Sequence, residues 1–280
     1  MLSMHFPNHE LRWKEKLMRI IVCLKQAVDV SQLRTDPVTR RLLVESVPRK
    51  MSDFDRNALE EAIRIKEKLG GGVEIFTVTV TAEDVKAVLR EALAMGADKA
   101  YVVNDASFKN IDTLGTAYVL AYAIKKIGTF DLILCGETSL DSFSGLVGAR
   151  LAELLGLPQI GYVRRLSVEG EAVVAERTLE NVVETVKAKF PALVSVTREI
   201  NQPRIPSLMM IMKASKKEIV SWTVADLGLQ MEKLAAKIDV VEVLAPKTER
   251  KKIKITGENV QEIADKLAKA LLQEGVVGRR

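Results

Sequence analysis

The sequence predicts an α/β protein: a doubly wound, mostly parallel sheet with a β-rich extension and a C-terminal arm. Short apolar, β-branched runs alternate four times with helix-period segments between residues 19 and 156, the pattern of successive βα units. Glycine stops most of these segments. After Pro158 the helix period fades and strand-like runs follow one another.

Residues 19–24 (RIIVCL) have the unbroken apolar character of a strand buried on both faces. Lys25, Gln26, Ala27 and Asp29 then fall at its carboxyl end. Residues 32–51 are polar, contain Pro37 and Pro48, and read as a long loop or β-hairpin. A helix is expected over 53–69, with Leu59, Ala62, Ile63 and Leu69 on one face and the glycines at 70–72 as its stop. Residues 73–80 (VEIFTVTV) form a second strand. Thr81 and Asp84 have capping-box spacing ahead of a helix with the apolar face Val85, Val88, Leu89, Ala92 and Leu93, closed by Gly96. Residues 100–103 (AYVV) are a third strand. Thr113 is placed to cap a helix carrying Leu114, Ala117, Ala121 and Ile124, which Gly128 ends.

The fourth unit, residues 132–156 (LILCGETSLDSFSGLVGARLAELLG), carries the functional signal. Its apolar strand stops at Gly136, a Ser/Thr/Asp-rich loop follows, and Leu151, Leu154 and Leu155 recur at helical spacing from Val147 onward. In an open parallel sheet this loop lies at the carboxyl end of the strand, where free N–H groups at the helix start face a ligand. That is an anion pocket, usually taken by a nucleotide phosphate. Ser144, Gly145 and Gly148 keep the turn small, and Ser139, Ser142 and Ser144 offer hydroxyl donors. The loop is neither a Walker A loop nor GxGxxG. An ordinary strand-to-helix turn that binds nothing shares the local pattern, so the loop alone leaves both readings open.

Residues 172–177, 182–188 and 192–196 read as further strands of the same sheet, with a glycine-containing turn at 168–171. Beyond Asp226 the chain turns polar until a helix expected over 257–274. Its stripe of Val260, Ile263, Leu267 and Leu271 calls for a covering surface and so a companion subunit. The expected organisation is an N-terminal extension at 1–17 ahead of a second possible start at Met18, an α/β domain at 18–225, and a C-terminal arm at 226–280.

Composition narrows the chemistry. The only two histidines, His5 and His9, lie in the extension, so Ser-His-Asp or Cys-His catalysis and Cys/His zinc sites are excluded from the body. Cys23 and Cys135 each end an expected buried strand, where packing is their role, and nothing points to a disulfide scaffold. The net charge of +5 collects late, at Lys213, Lys216 and Lys217 and again at Lys247, Arg250, Lys251, Lys252 and Lys254. No aromatic interleaving or nucleic-acid module accompanies these runs, which read as a solvated face or a contact for an acidic protein. No apolar run approaches the ~20 residues of a transmembrane helix.

At 196–217, VTREINQPRIPSLMMIMKASKK closely resembles the signature of the electron-transfer flavoprotein beta subunit family. The resemblance extends to VCLKQAVD at 22–29, LEEAIRIKEK at 59–68, REALAMGAD at 90–98 and the loop after Gly136. Several separated motifs in order, from residue 18 to the C-terminus, make it specific.

The resemblance implies a Rossmann-like, adenine-nucleotide-binding fold and a heterodimer with an alpha subunit that holds most of a redox FAD. It implies a second nucleotide in the beta subunit, touching Cys23, Ser52, Asp53, Phe54, Asp55, Val80, Gly136, Glu137, Thr138, Ser139, Asp141, Ser144, Gly145, Leu146 and Val147. That nucleotide is AMP in ordinary members and FAD in electron-bifurcating ones. Residues 103–124 look more like bifurcating and Fix-type members, which points to FAD with NADH as donor, structural AMP being the alternative. Phe143 and Leu146 stand where many family loops carry an acidic residue and a glutamine; backbone N–H contacts do not depend on such changes. Leu208 takes the place of the family's anchor leucine. Arg204, Leu208, Met209 and Lys213 are the expected docking residues for dehydrogenase, quinone oxidoreductase or ferredoxin-like partners. No catalytic residue and no metal are expected, and the setting is cytoplasmic, reaching the inner face of the membrane through partners. The rival from another class is a stand-alone adenine-nucleotide-binding protein, although the Ser-Gly-Gly-x-Asp-Ser loop of adenylating enzymes is absent.

Overall fold

A computed structural model describes residues 17–277 apart from 71, 239 and 248–250. The expected extension, except Leu17, lies outside the described residues, as do His5 and His9.

Nine strands form one sheet in the order β11-β10-β9-β12-β8-β1-β6-β7-β13. They are β1 (Met18–Cys23), β6 (Val73–Thr81), β7 (Lys99–Asn104), β8 (Leu132–Gly136), β9 (Gln159–Glu169), β10 (Ala172–Thr178), β11 (Val183–Lys189), β12 (Ala192–Val196) and β13 (Ile219–Trp222). Pairing is parallel from β13 to β9 and antiparallel through β9, β10 and β11. Polar residues 26–51 fold into two small ladders, β2 (Gln26–Val28) with β5 (Arg49–Met51) and β3 (Arg34–Thr35) with β4 (Leu42–Leu43).

Side chains alternate across the central strands, as the pleat requires. Ile20, Val22, Leu132 and Leu134 face α1 (Asp53–Lys68) and α2 (Lys86–Met95). Ile21, Cys23, Ile133 and Cys135 face α3 (Thr113–Ile127) and α4 (Val147–Leu155). Helices cover both faces, so the doubly wound fold read from the sequence is the fold observed. The chain runs outward from β1 through β6 to β7, then returns across β1 to β8. The strand order therefore reverses between β1 and β8, and this switch point positions the site.

Four local readings need correction. The Thr81/Asp84 capping box does not form: β6 continues through Thr81, whose hydroxyl accepts from the Glu83 N–H, and α2 starts later with Val85 as an uncapped N-cap. Asp112, not Thr113, caps α3, its Oδ1 accepting from the N–H groups of Leu114 and Gly115 at 2.8 Å each. The 11-residue β9 starts well before the turn read at 168–171, and β13 adds an edge strand after α5 (Leu208–Ala214).

After α6 (Val224–Leu227), Leu229 and Leu234 pack into the core beside α3. The amphipathic α7 (Val260–Gln273) buries no residue on the described chain. No helix among the described residues is long and apolar enough to cross a membrane.

Candidate functional site

The carboxyl ends of β1 and β8 meet the start of α1 and the loop leading into α4. Asp55 joins them. Its Oδ2 accepts the Lys25 N–H at 2.8 Å and its Oδ1 accepts the Gly136 N–H at 3.0 Å, so one carboxylate ties the strand ends on both sides of the switch point. Burial pushes the Asp55 carboxyl up to about 7 against the pull of these two N–H bonds.

Gly136 makes this approach possible. A Cβ there would stand 2.4 Å from Phe54 Cβ, 2.8 Å from the Phe54 carbonyl carbon and 2.7 Å from Asp55 Oδ1. Gly148 does the same for α4, where a Cβ would lie 3.0 Å from Cys135 Sγ. Both thiols beneath, Cys23 and Cys135, are held well above the usual range by burial, so they remain protonated packing groups.

The loop at 137–146 folds back over the end of β1. Lys25 Nζ donates to Asp141 Oδ1 (2.6 Å), Ser139 Oγ (3.1 Å) and Ser142 Oγ (3.3 Å), and Ser139 and Asp141 bond to each other at 2.7 Å. Burial alone would raise the Asp141 carboxyl, but the bonds from Lys25 and Ser139 outweigh it and hold the group below the usual range. Phe143 (φ 49°) and Gly145 (φ +62°) bend the chain into α4. Leu146 supplies no capping side chain, so the N-cap residue satisfies none of the first-turn N–H groups that every helix leaves without an intrahelical partner. One hydroxyl in this region, Thr138 Oγ1, is buried without a hydrogen-bond partner, while the buried Ser52 hydroxyl lies against the Asp55 carboxylate. An orphan of this kind is costly unless a ligand or water completes it.

Ser52, Phe54, Asp55, Cys23, Gly136, Ser139 and Asp141 are thus brought together with Val147 at the start of α4. Glu137 and Thr138 lead out of β8, with Glu137 raised by burial and by nearby Glu199. Ser144, Gly145 and Leu146 form the final bend. Asp53 instead faces Lys50 at 3.2 Å, and Val80 lies one strand farther out, near the end of β6. Lys25 is absent from the sequence-derived site although it organises the loop. Its signal was its position, the first polar residue after an apolar run. Among the described residues no group of three His, Cys, Asp or Glu side chains is placed to hold a metal ion.

A second cluster lies along α5. Leu208 is 75% exposed, Met209, Met212 and Ile205 are exposed beside it, Lys213 is exposed, and only Ala214 is buried. Arg90 donates to the carbonyls of Ala214 and Lys217, which fastens α5 to α2. Arg204 differs from its neighbours, because its guanidinium is engaged by Glu60 and Glu67 of α1.

Comparison with known proteins gives the family. Residues 41–227 match the electron transfer flavoprotein domain. The chain is 40% identical over 264 residues to the electron transfer flavoprotein subunit beta of Thermoanaerobacterium thermosaccharolyticum, covering 93% of this chain and 100% of the relative. It is 34% identical over 263 residues to the caffeyl-CoA reductase-Etf complex subunit CarD of Acetobacterium woodii, again covering 93% and 100%. It is 34% identical over 221 residues to FixA of Azorhizobium caulinodans, covering 76% and 78%. The match over residues 41–227 and the 40% identity across the whole of the first relative place the chain in the electron transfer flavoprotein beta subunit family.

Proposed function

We propose that this chain pairs with an alpha subunit as a two-subunit electron carrier and that its β1/β8 crevice holds FAD reduced by NADH. The observation that carries the reading is the orphaned Thr138 hydroxyl in the loop between the Gly136 approach and the uncapped start of α4. The Thr138 hydroxyl and the first-turn N–H groups of α4 are donors free for an anion, and they fit a nucleotide phosphate. A flavin held there would supply the redox chemistry, which no side chain of this chain can provide. The backbone from Glu137 to Val147 binds, and Phe143 and Leu146 present apolar surface beside the loop. Asp55 and the Lys25–Asp141 pair set the local charge, through which a protein tunes a bound cofactor.

AMP is the second reading, since these hydroxyl and N–H donors address a phosphate and not a flavin ring. Onward partners are dehydrogenases, quinone-linked oxidoreductases or ferredoxin-like subunits, in the cytoplasm and at the inner membrane face through those partners. The caffeyl-CoA reductase-Etf name of one relative supports the association with such a complex.

The deciding measurement is FAD and AMP released per heterodimer after co-expression with the alpha subunit. Two FAD and no AMP are expected. One FAD with one AMP transfers the site to the second reading, and a beta site carrying neither overturns both.

Exposed Leu208 and Met209 form the docking ridge in this proposal. Leu208→Ala is expected to weaken partner docking by about 2 kcal/mol, roughly 30-fold in KM for the partner, with nucleotide content unchanged. An unchanged KM would remove Leu208 from the docking surface.

A further inference from the structure

The segment that leads into α5 packs Ile200 on the core, and the far end of α5 is held by Ala214 and Arg90; between these, a set of polar bonds ties it to one flank of α1. Asn57 donates Nδ2 to the Asn201 carbonyl at 2.7 Å and to Asn201 Oδ1 at 3.1 Å. Asn201 returns Nδ2 to the Asn57 carbonyl and to Glu61 Oε2, both at 3.0 Å. Three residues on, the Arg204 guanidinium spans two carboxylates: Nε and Nη2 to Glu60 at 2.8 and 3.1 Å, Nη1 and Nη2 to Glu67 at 2.6 and 2.9 Å. Its own N–H adds a bond to Glu60 at 3.1 Å, and Arg64 reaches the Gln202 carbonyl at 3.2 Å.

Residues 57, 60, 61, 64 and 67 recur at helical spacing, so they form one stripe of α1. In this stripe Asn57, Glu60 and Glu61 are buried. Burying carboxylates is unfavourable unless each is bonded, and here each is. An apolar contact would also hold the segment, but it tolerates sliding. A planar fork across two carboxylates fixes both distance and angle. Downstream of Arg204 come Ile205, Pro206 and the exposed ridge at Leu208 and Met209.

We propose that Arg204 is a positioning residue for partner docking: its fork on Glu60 and Glu67, with the Asn57–Asn201 pair, sets the height and angle at which α5 presents Leu208. This rests on the reading of Leu208 as a docking residue. In this reading Arg204 acts through the segment it holds, its guanidinium being committed to Glu60 and Glu67. The same helix starts beside Gly136 at the β1/β8 crevice, so the ridge is indexed to the proposed nucleotide site.

The test uses the intact heterodimer with a purified flavin-dependent dehydrogenase of CoA thioesters as electron partner. Arg204→Lys keeps the charge beside Glu60 but loses the fork. It is expected to raise KM for the dehydrogenase about 10-fold at unchanged kcat and to speed amide exchange over residues 205–213 about 10-fold. Exchange in β8 and nucleotide content should stay at wild-type levels. Leu208→Ala should raise KM without changing exchange. If Leu208→Ala raises KM and Arg204→Lys does not, the positioning role is overturned while docking stands. If Leu208→Ala has no effect, docking falls and this proposal falls with it. If Arg204→Lys also loosens β8 or releases nucleotide, Arg204 is a general fold contact and the proposal is overturned.

Discussion

Gly136→Ala is expected to destabilise the protein by roughly 3–5 kcal/mol, combining overpacking with lost buried hydrogen bonds, and to empty the crevice of nucleotide. The new Cβ would sit 2.4 Å from Phe54 Cβ and 2.8 Å from the Phe54 carbonyl carbon. The second of these is backbone and cannot rotate away. Relief requires the start of α1 to move off β8, which breaks the Asp55 bond to the Gly136 N–H. Gly145→Ala is the comparison. Its Cβ would find only the Glu137 carbonyl oxygen at 3.6 Å, so its penalty is the left-handed backbone at φ +62°, about 1 kcal/mol. Urea unfolding and nucleotide content of both variants would separate the two effects. Equal midpoints for Gly136→Ala and Gly145→Ala would show that α1 and β8 part without strain.

Asp55 should make stability fall as pH rises through neutrality. Its carboxyl is raised from an ordinary 3.8 to about 7 in the fold. Between these values the folded chain holds a proton that the unfolded chain has released, so unfolding becomes easier with rising pH. Stability associated with the neutral carboxyl is present below the unfolded value and is lost progressively as pH climbs to 7. From pH 5 to 8 the loss is about 2–3 kcal/mol from this one group. Asp55→Asn should abolish that slope. The amide offers one acceptor where two N–H groups converge, so the variant is weaker than wild type at pH 5 and closest to it at pH 8. Denaturant midpoints across pH 5 to 8 decide it, and an identical slope in the variant would place the titrating group elsewhere.

Most of the elements legible in the sequence were those whose burial the local pattern carries, and β10, β11 and the exposed α7 were also legible from their strand runs and helical stripe. β1, β6, β7, β8 and β12 are apolar runs, and α1 to α4 have clear apolar faces. β9 was hidden because it is half exposed: Ile160, Val163, Leu166 and Val168 face inward, while Arg164, Arg165 and Gly161 interrupt the run. β13 is four residues at an edge, too short to show a period. The loop of the site was legible from its small residues, but Lys25 was not included, because its role depends on a loop more than a hundred residues away. The polar stripe of α1 reads as a solvated face. It is buried only because residues 198–204 return to it.

Strand order also dictates when the protein can be finished during synthesis. β12 inserts between β8 and β9, so the outer edge of β8 has no partner until Val196 has emerged, some 60 residues after Gly136. At ~5–20 residues per second that edge stays open for on the order of several seconds. An unpaired apolar edge such as 132–135 is a template for association with another nascent chain. Over the same interval Glu60, Glu61 and Glu67 await residues 198–204. Until then they remain hydrated and charged, which keeps one flank of the unfinished domain soluble while its sheet is still open.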